Sequence, residues 1–161
     1  MLDIIAAWAL FILLKPVNQH LSLLTGWFRL VYAIIALSAL TNLVTVLPIL
    51  HNTNFAKTFQ PGLQNIQIDL SISAFKNGWY FGLIFFGIHL GLLGYLVFRS
   101  GYIPKILGIL LVISALGYFL NAVRPYLFPS ANLDFAKYTF FGELIFMVWL
   151  LIRGPMIKEQ S

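Results

Sequence analysis

The sequence predicts an all-α fold, a polytopic transmembrane helical bundle with four full spans and one short N-terminal helix. Composition is the first observation, since hydrophobic residues make up 60% of the 161 residues and charged residues only 9%. A soluble domain carries roughly 25% charged residues, so this chain could not cover a surface that faces water. The second observation is that the apolar residues form long segments. In lipid such segments must be helices, because a lone strand leaves its backbone hydrogen-bonding groups unsatisfied.

Five apolar segments define the predicted helices. The first, residues 2–14, is short, since its thirteen residues rise only about 20 Å as a helix. It is expected either to be partly embedded or to be the remainder of a longer span in an N-terminally shortened protein, and we favour the second interpretation. The other four reach about the 20 residues that a helix needs to cross a bilayer: 27–50, 79–98, 103–123 and 135–152. All five are expected to form one domain, 1–161.

The basic residues indicate membrane loops and a topology. The formal net charge is +5, but Lys and Arg occur singly at the ends of apolar segments, which is typical of membrane proteins and not of nucleic-acid surfaces. The short basic connections at 15–26 and 99–102, and the tail after Arg153, are expected on the cytoplasmic side. The longer connections at 51–78 and 124–134 are expected on the other side. The predicted location is a bacterial cytoplasmic membrane, and the expected partner is the lipid bilayer.

One stretch of the connection at 51–78 has an ambiguous pattern. Residues 66–73 alternate between apolar and polar side chains, as a strand does. A single strand would have no pairing partner here. We therefore predict a helix that lies at the membrane surface and runs into the third span.

Two ionisable side chains lie at the middle of predicted spans, His89 in the third and Glu143 in the fifth. An unpaired charge at the bilayer centre costs about 2.5–3.5 kcal/mol, so such side chains usually face the bundle interior. We expect each to lie within direct or one-water reach of the other or of a polar neighbour. The functional interpretation is a proton relay, an ion site or a polar substrate site. The structural interpretation, which we favour, is a buried pair that sets helix register. The candidate neighbours are Ser38, Asn42, Ser114 and Asn121.

Three glycines share one face of the third span. Gly87 and Gly91 form a GxxxG pair, and Gly94 lies on the same side. Small residues at this spacing let two helix backbones approach closely. The sequence therefore predicts a tight helix contact here, without indicating a dimer.

Two other charged residues are given a structural interpretation. Arg29 lies near the predicted start of its span, so we expect it to meet lipid headgroups or to cap a loop. Asp3 is expected to lie at an exposed end if the chain is a shortened one. Neither is therefore predicted to belong to a site.

No pattern indicates a cofactor, a metal or a catalytic centre. Cysteine is absent, which excludes disulfides, thiolate ligands and a cysteine nucleophile. His20 and His51 lie in or beside loops, which disfavours a pair of axial haem ligands. A zinc site needs three or four ligands, and no HExxH pattern occurs. We therefore expect no metal, no cofactor and no enzyme activity.

Two phrases of the sequence resemble a known family. They are "GIHLGLLGYLVFRSGYIPKILGILL" within residues 75–124 and the opening "LLKPVNQHLSLLTGWFRLVYA". Both resemble the bacterial membrane family known as domain of unknown function 4386, and the resemblance covers most of the chain. It implies that family members are somewhat longer, with about six spans, and that this chain lacks the first span and part of the next. It implies no activity, substrate or cofactor.

Three functional hypotheses follow. The first is a non-enzymatic membrane protein of structural, regulatory or partner-binding type. The alternative is a small transporter or channel for protons, ions or small molecules, with His89 and Glu143 as a midplane site. An intramembrane enzyme that acts on lipid is the least favoured. A water-accessible cavity that reaches both residues would favour transport, whereas mutually satisfied buried groups would favour a structural role.

Overall fold

The computed structural model of the chain describes residues 2–51, 61–127 and 138–154. Every regular element in these ranges is helical, so the all-α prediction is confirmed there. A single 3₁₀ turn at 138–140 precedes the last helix. The described helices are α1 (Leu2–Leu14), α2 (Gln19–Val44), α3 (Val46–His51), α4 (Pro61–Arg99), α5 (Lys105–Leu127) and α6 (Phe141–Arg153).

Within the described residues, three helical stretches are long and apolar enough to cross a membrane, whereas the sequence predicts four. They are Gln19–Ile49, which runs through α2 and α3, then Gly62–Arg99 in α4 and Lys105–Leu127 in α5. The predicted fourth span, 135–152, begins outside the described residues. Its described helix, α6, has 13 residues and rises only about 20 Å.

The second helix begins well before its predicted start at residue 27. Asn18 caps it, because its side chain accepts a hydrogen bond from the backbone N–H of Leu21 at 3.0 Å. The polar residues that suggested a loop are satisfied locally. Ser22 donates to the carbonyl of Phe11 at 3.0 Å and Thr25 to that of Leu21 at 2.7 Å. Both hydroxyls are therefore buried at little cost inside the helix pair.

The alternating stretch at 66–73 is helical, as predicted, but it is not a separate element. It is part of α4, which runs without interruption through 39 residues. The far end of α4 lies beside the end of α2 and α3. Gln64 Nε2 donates to the carbonyl of Ile49 at 3.2 Å, and Ser71 lies 3.5 Å from Thr45 between hydroxyl oxygens. Residues 52–60 of the predicted connection lie outside the described residues.

Successive helices pack against each other in an antiparallel order, α1 on α2, α2 on α4, α4 on α5 and α5 on α6. One end of the bundle therefore collects four basic residues from helix ends and connections: Lys15, Arg99, Lys105 and Arg153. We call it the basic end. Tyr102 closes this end by donating a hydrogen bond to the carbonyl of Leu13. Burial raises the pKa of the Tyr102 phenol, which keeps it protonated as the donor.

The three glycines of α4 face α5. A Cβ added to Gly94 would lie 2.7 Å from the carbonyl oxygen of Gly108, and one on Gly108 would lie 2.7 Å from that of Gly94. A Cβ on Gly87 would lie 3.2 Å from the Ala115 carbonyl oxygen, whereas one on Gly91 would make an ordinary contact at 3.8 Å. The two backbones therefore touch most closely at Gly94. The leucine-rich core surrounds this contact and extends from Phe86 and Ala115 to Val97 and Ile103 near the basic end.

Candidate functional site

Four ionisable side chains lie at one level of the bundle. Arg29 is ten residues after the start of α2, while His89 and Glu143 are ten residues before the ends of α4 and α6. Asp3 is eleven residues before the end of α1. All of these helix ends belong to the basic end, so the four residues lie about 15 Å from it. The antiparallel order of the helices thus brings to one level ionisable residues that are far apart in the sequence.

The α1–α2 hairpin places Asp3 opposite Arg29. Its connection is short, from Lys15 to Asn18, so the two helices run antiparallel in a fixed register. Ser22 binds the carbonyl of Phe11, and Arg29 Nη2 donates to Asp3 Oδ1 at 3.0 Å. Asp3 is therefore both 41% exposed and paired with Arg29, a partner that the sequence did not predict.

Arg29 is the centre of the cluster. Its side chain is only 13% exposed. Besides Asp3, its Nη1 donates to His89 Nε2 at 3.3 Å, and its guanidinium carbon lies 5.9 Å from the ring centroid of Phe86. The prediction that Arg29 meets headgroups or caps a loop is therefore wrong. The physical reason is the early start of α2, which carries Arg29 deep into the bundle.

The hydrogen bonds of His89 determine its tautomer. Its side chain is fully buried, and its Nδ1 lies 2.9 Å from the backbone carbonyl oxygen of Thr25. A carbonyl only accepts and a guanidinium only donates. Nδ1 must therefore carry the proton, and the lone pair of Nε2 accepts from Arg29. In this arrangement His89 is a neutral link between α2 and α4 whose only basic nitrogen is occupied.

Glu143 lies on the other side of the cluster, in the first turn of α6. It is partly buried, and Tyr118 donates to its Oε2 at 3.3 Å. The structure thus points both predicted central residues into the bundle but gives them partners other than those expected. His89 bonds to Arg29 and Thr25, while Glu143 bonds to Tyr118.

The four predicted polar neighbours lie apart from these contacts. Ser38 and Asn42 are nine and thirteen residues beyond Arg29 on α2, roughly 14–20 Å away. Asn42 donates to backbone carbonyls of its own helix, the nearer being that of Ala39 at 3.2 Å. The Ser114 hydroxyl lies within hydrogen-bond distance of the carbonyls of Leu110 and Thr139, which links α5 to the turn before α6. Asn121 is partly buried further along α5, towards the end opposite the basic one.

A half-open cavity of about 410 Å³ extends from the cluster towards the basic end, and Met147 and Leu151 of its lining are also exposed on the outside of the bundle. Arg29 and Glu143 are the charged residues of its lining within the described part of the chain, and the other lining residues are apolar. Helices α1 and α6 form two of its walls, and Leu90 and Leu93 of α4 contribute a third. The wall residues of α1 are Ala6, Ala9, Leu10 and Leu13, and those of α6 after Glu143 are Phe146, Met147, Leu150, Leu151 and the adjoining Gly154.

The described residues hold no group of three or more His, Asp or Glu side chains that could bind a metal ion. The cluster consists of two hydrogen-bonded groups, Asp3–Arg29–His89 and Tyr118–Glu143, and not of a set of metal ligands. The cluster holds one guanidinium and two carboxyl groups in mainly apolar surroundings. Such groups stay there only when they are paired.

Comparison with known proteins places the chain in a family. Residues 1–154 match the family described as "Domain of unknown function (DUF4386)". The chain belongs to this family. An "Uncharacterized protein" of the archaeon Archaeoglobus fulgidus is 38% identical over 158 residues, which are 98% of this chain and 80% of that relative. No solved structure matches this DUF4386 protein. The family resemblance is confirmed, whereas the bacterial origin is not, since the relative is archaeal.

Sequence reasoning missed Asp3, Arg29 and Tyr118 as members of the cluster of this DUF4386 protein. A signal for the first two was present in the short α1–α2 connection. An antiparallel hairpin with a turn at 15–18 pairs residues whose numbers sum to about 33, as Phe11 and Ser22 do. Asp3 and Arg29 satisfy the same relation. For Tyr118 the sequence offered only its place on a polar stripe of α5.

Proposed function

We propose that this protein is a non-enzymatic multi-pass membrane protein that binds a small apolar molecule inside its helical bundle. The cavity between α1 and α6 is the observation that carries the proposal. Its volume of about 410 Å³ lies within the roughly 300–1,000 Å³ of typical small-molecule sites. Its walls are apolar, and its polar groups are confined to one end. That is the distribution by which protein sites hold and orient apolar ligands.

The inferred membrane arrangement completes the proposal. We infer that α6 belongs to a fourth crossing of the membrane and that the basic end faces the cytoplasm. Lys15, Arg99, Lys105 and Arg153 support this orientation, because positively charged connections are retained on the cytoplasmic side. The charged cluster then lies about 15 Å deep, near the middle of roughly 30 Å of hydrocarbon. The inferred location is the cytoplasmic membrane, with the C-terminus inside.

Reporter fusions test this topology. A reporter that is active only in the cytoplasm is expected to be active when fused after Ser161 and inactive when inserted at Asn54. Activity at both sites would contradict the odd number of crossings between them. Activity at Asn54 alone would reverse the orientation and leave the bundle unchanged.

Photolabelling tests the cavity. A neutral dodecyl alcohol that carries a diazirine is expected to label cavity residues such as Met147 and Leu150 in purified protein in nanodiscs. The labelling should be saturable and suppressed by unlabelled dodecanol, because the cavity holds a limited number of molecules. Mass spectrometry of peptides locates the label.

A matched pair of substitutions in α1 provides the control. Ala6→Phe should fill the cavity and lower the saturable labelling several-fold, because Ala6 lines it. Ile5→Phe places the same ring at a neighbouring position that is 66% exposed and does not line the cavity, and labelling should persist. Labelling that is spread evenly over the outer apolar surface and does not saturate would overturn the proposal.

Transport is the second candidate, and the position of Glu143 on the cavity wall favours it. A carboxyl group that lines a cavity can exchange a proton or a cation with a ligand. A relay through His89 is disfavoured, because its Nε2 is occupied by Arg29. Release of a preloaded probe from proteoliposomes, faster with the protein than without it, would support transport. Saturable binding without release would support binding alone.

A further inference from the structure

The charged groups at the inner end of the cavity do not balance. Within the described residues, the cluster contains two carboxyl groups, Asp3 and Glu143, and one guanidinium, Arg29. The guanidinium is already engaged, with Nη2 paired to Asp3 at 3.0 Å and Nη1 bonded to His89 at 3.3 Å. His89 contributes no charge in the tautomer that its partners require. One negative charge remains when both carboxyl groups are ionised.

Glu143 is positioned to hold that charge. It lies in the first turn of α6, where the partial positive charge of the helix N-terminus stabilises an anion. Tyr118 donates a hydrogen bond to one of its carboxyl oxygens, Oε2, at 3.3 Å. The side chain also lines the cavity, so the carboxylate is accessible from the ligand space.

The rest of the cavity lining is apolar and suits a hydrocarbon group. From Glu143 to Arg153, α6 rises about 15 Å, and its cavity-facing residues recur at helical spacing along that length. Ala6, Ala9 and Leu13 form the matching face of α1. A chain or ring system that lies between these helices would contact apolar side chains for most of its length.

From this charge distribution we propose that the ligand is a lipophilic ammonium cation. Its nitrogen lies beside the Glu143 carboxylate, and its apolar part extends between α1 and α6 towards the basic end. The inference rests on the proposed binding function and specifies its ligand class. An anion would meet the Glu143 carboxylate beside a guanidinium that Asp3 and His89 already engage. A neutral molecule would offer the carboxylate no counter-charge, whereas an ammonium group would gain an ionic contact that is strong in a low-dielectric interior.

Competition within one series of probes tests the proposal on the unmodified protein. Labelling by the dodecyl alcohol diazirine is challenged with dodecyltrimethylammonium, dodecanol or dodecyl sulfonate, each in nanodiscs of zwitterionic lipid. The ammonium is expected to compete at about tenfold lower concentration than the alcohol, a difference of ~1.4 kcal/mol. The sulfonate should be the weakest competitor. Equal competition by the ammonium and the alcohol, or stronger competition by the sulfonate, would overturn the ligand class and leave the binding proposal standing.

Substitutions at Glu143 then assign the preference to this side chain. The preference for the ammonium is the ratio of the dodecanol concentration to the dodecyltrimethylammonium concentration that suppresses labelling equally. Glu143→Gln should reduce this ratio to about one. Glu143→Asp should keep most of the preference, because the charge remains. Asp69→Asn removes a carboxylate on an exposed part of α4 and should leave the ratio as it is. A ratio unchanged in Glu143→Gln would overturn the role of Glu143. If no probe labels saturably, the binding proposal itself fails, and the ligand class fails with it.

Discussion

Replacing Arg29 with methionine is expected to lower the free energy of unfolding by about 2 kcal/mol. Methionine fills a similar volume but leaves the buried Nε2 of His89 without a donor and the Asp3 carboxylate without its cation. An unsatisfied buried acceptor alone costs roughly 1–3 kcal/mol. The loss of the Asp3 ion pair contributes less to this decrease in the free energy of unfolding, because the Asp3 side chain is 41% exposed. Unfolding by sodium dodecyl sulfate in mixed micelles, followed by tryptophan fluorescence, measures the difference.

Three further variants make this prediction specific. Arg29→Lys should fall between the parent protein and Arg29→Met, since a lysine keeps the charge but not the two-pronged geometry. Arg29→Met combined with His89→Leu should regain part of the loss, because removing both partners leaves no unsatisfied acceptor. Arg99→Met removes an exposed arginine at the basic end and should change little. If Arg29→Met were as stable as the parent, Arg29 would not be the centre of a buried cluster.

Adding a single methyl group at Gly94 is expected to be about as disruptive. In Gly94→Ala the new Cβ would lie 2.7 Å from the Gly108 carbonyl oxygen, 2.8 Å from Val112 Cγ2 and 3.1 Å from Leu111 Cβ. The nearest obstacle is backbone, so α4 and α5 must move apart. Overpacking of this kind costs about 1–3 kcal/mol. A lower unfolding midpoint in the same denaturation assay should report it.

Gly91 supplies the matched control on the same face of α4. A Cβ there would make an ordinary contact with Ala115 Cβ at 3.8 Å. Alanine is favoured over glycine within a helix by roughly 0.5–1 kcal/mol, so Gly91→Ala should be neutral or mildly stabilising. Equal losses at the two positions would show that the glycines act through helix propensity and not through the contact between α4 and α5.

The sequence predicted that His89 and Glu143 lie mid-span, and in the structure both lie ten residues before the ends of their helices and face inward. Their hydrogen-bond partners are Arg29 and Thr25 for His89 and Tyr118 for Glu143. Their partners depend on how neighbouring helices are rotated, and hydropathy carries no such information. Arg29 was assigned to the membrane surface because its span was predicted to begin at residue 27. Ser22 and Thr25 instead bond to carbonyls within the α1–α2 pair, so the helix begins earlier and Arg29 lies deeper.

The sequence by itself determined the helical class, the bounds of α1 and the existence of three long apolar helices. These depend on local composition, because an apolar segment of sufficient length has few ways to satisfy its backbone in lipid. Only the tertiary structure decided which charges meet. Asp3, Arg29, His89 and Glu143 come from four different helices, and their association depends on register, rotation and the close approach of α4 and α5 at Gly94. Those quantities are set by the packing of side chains between helices, which no single segment of the sequence contains.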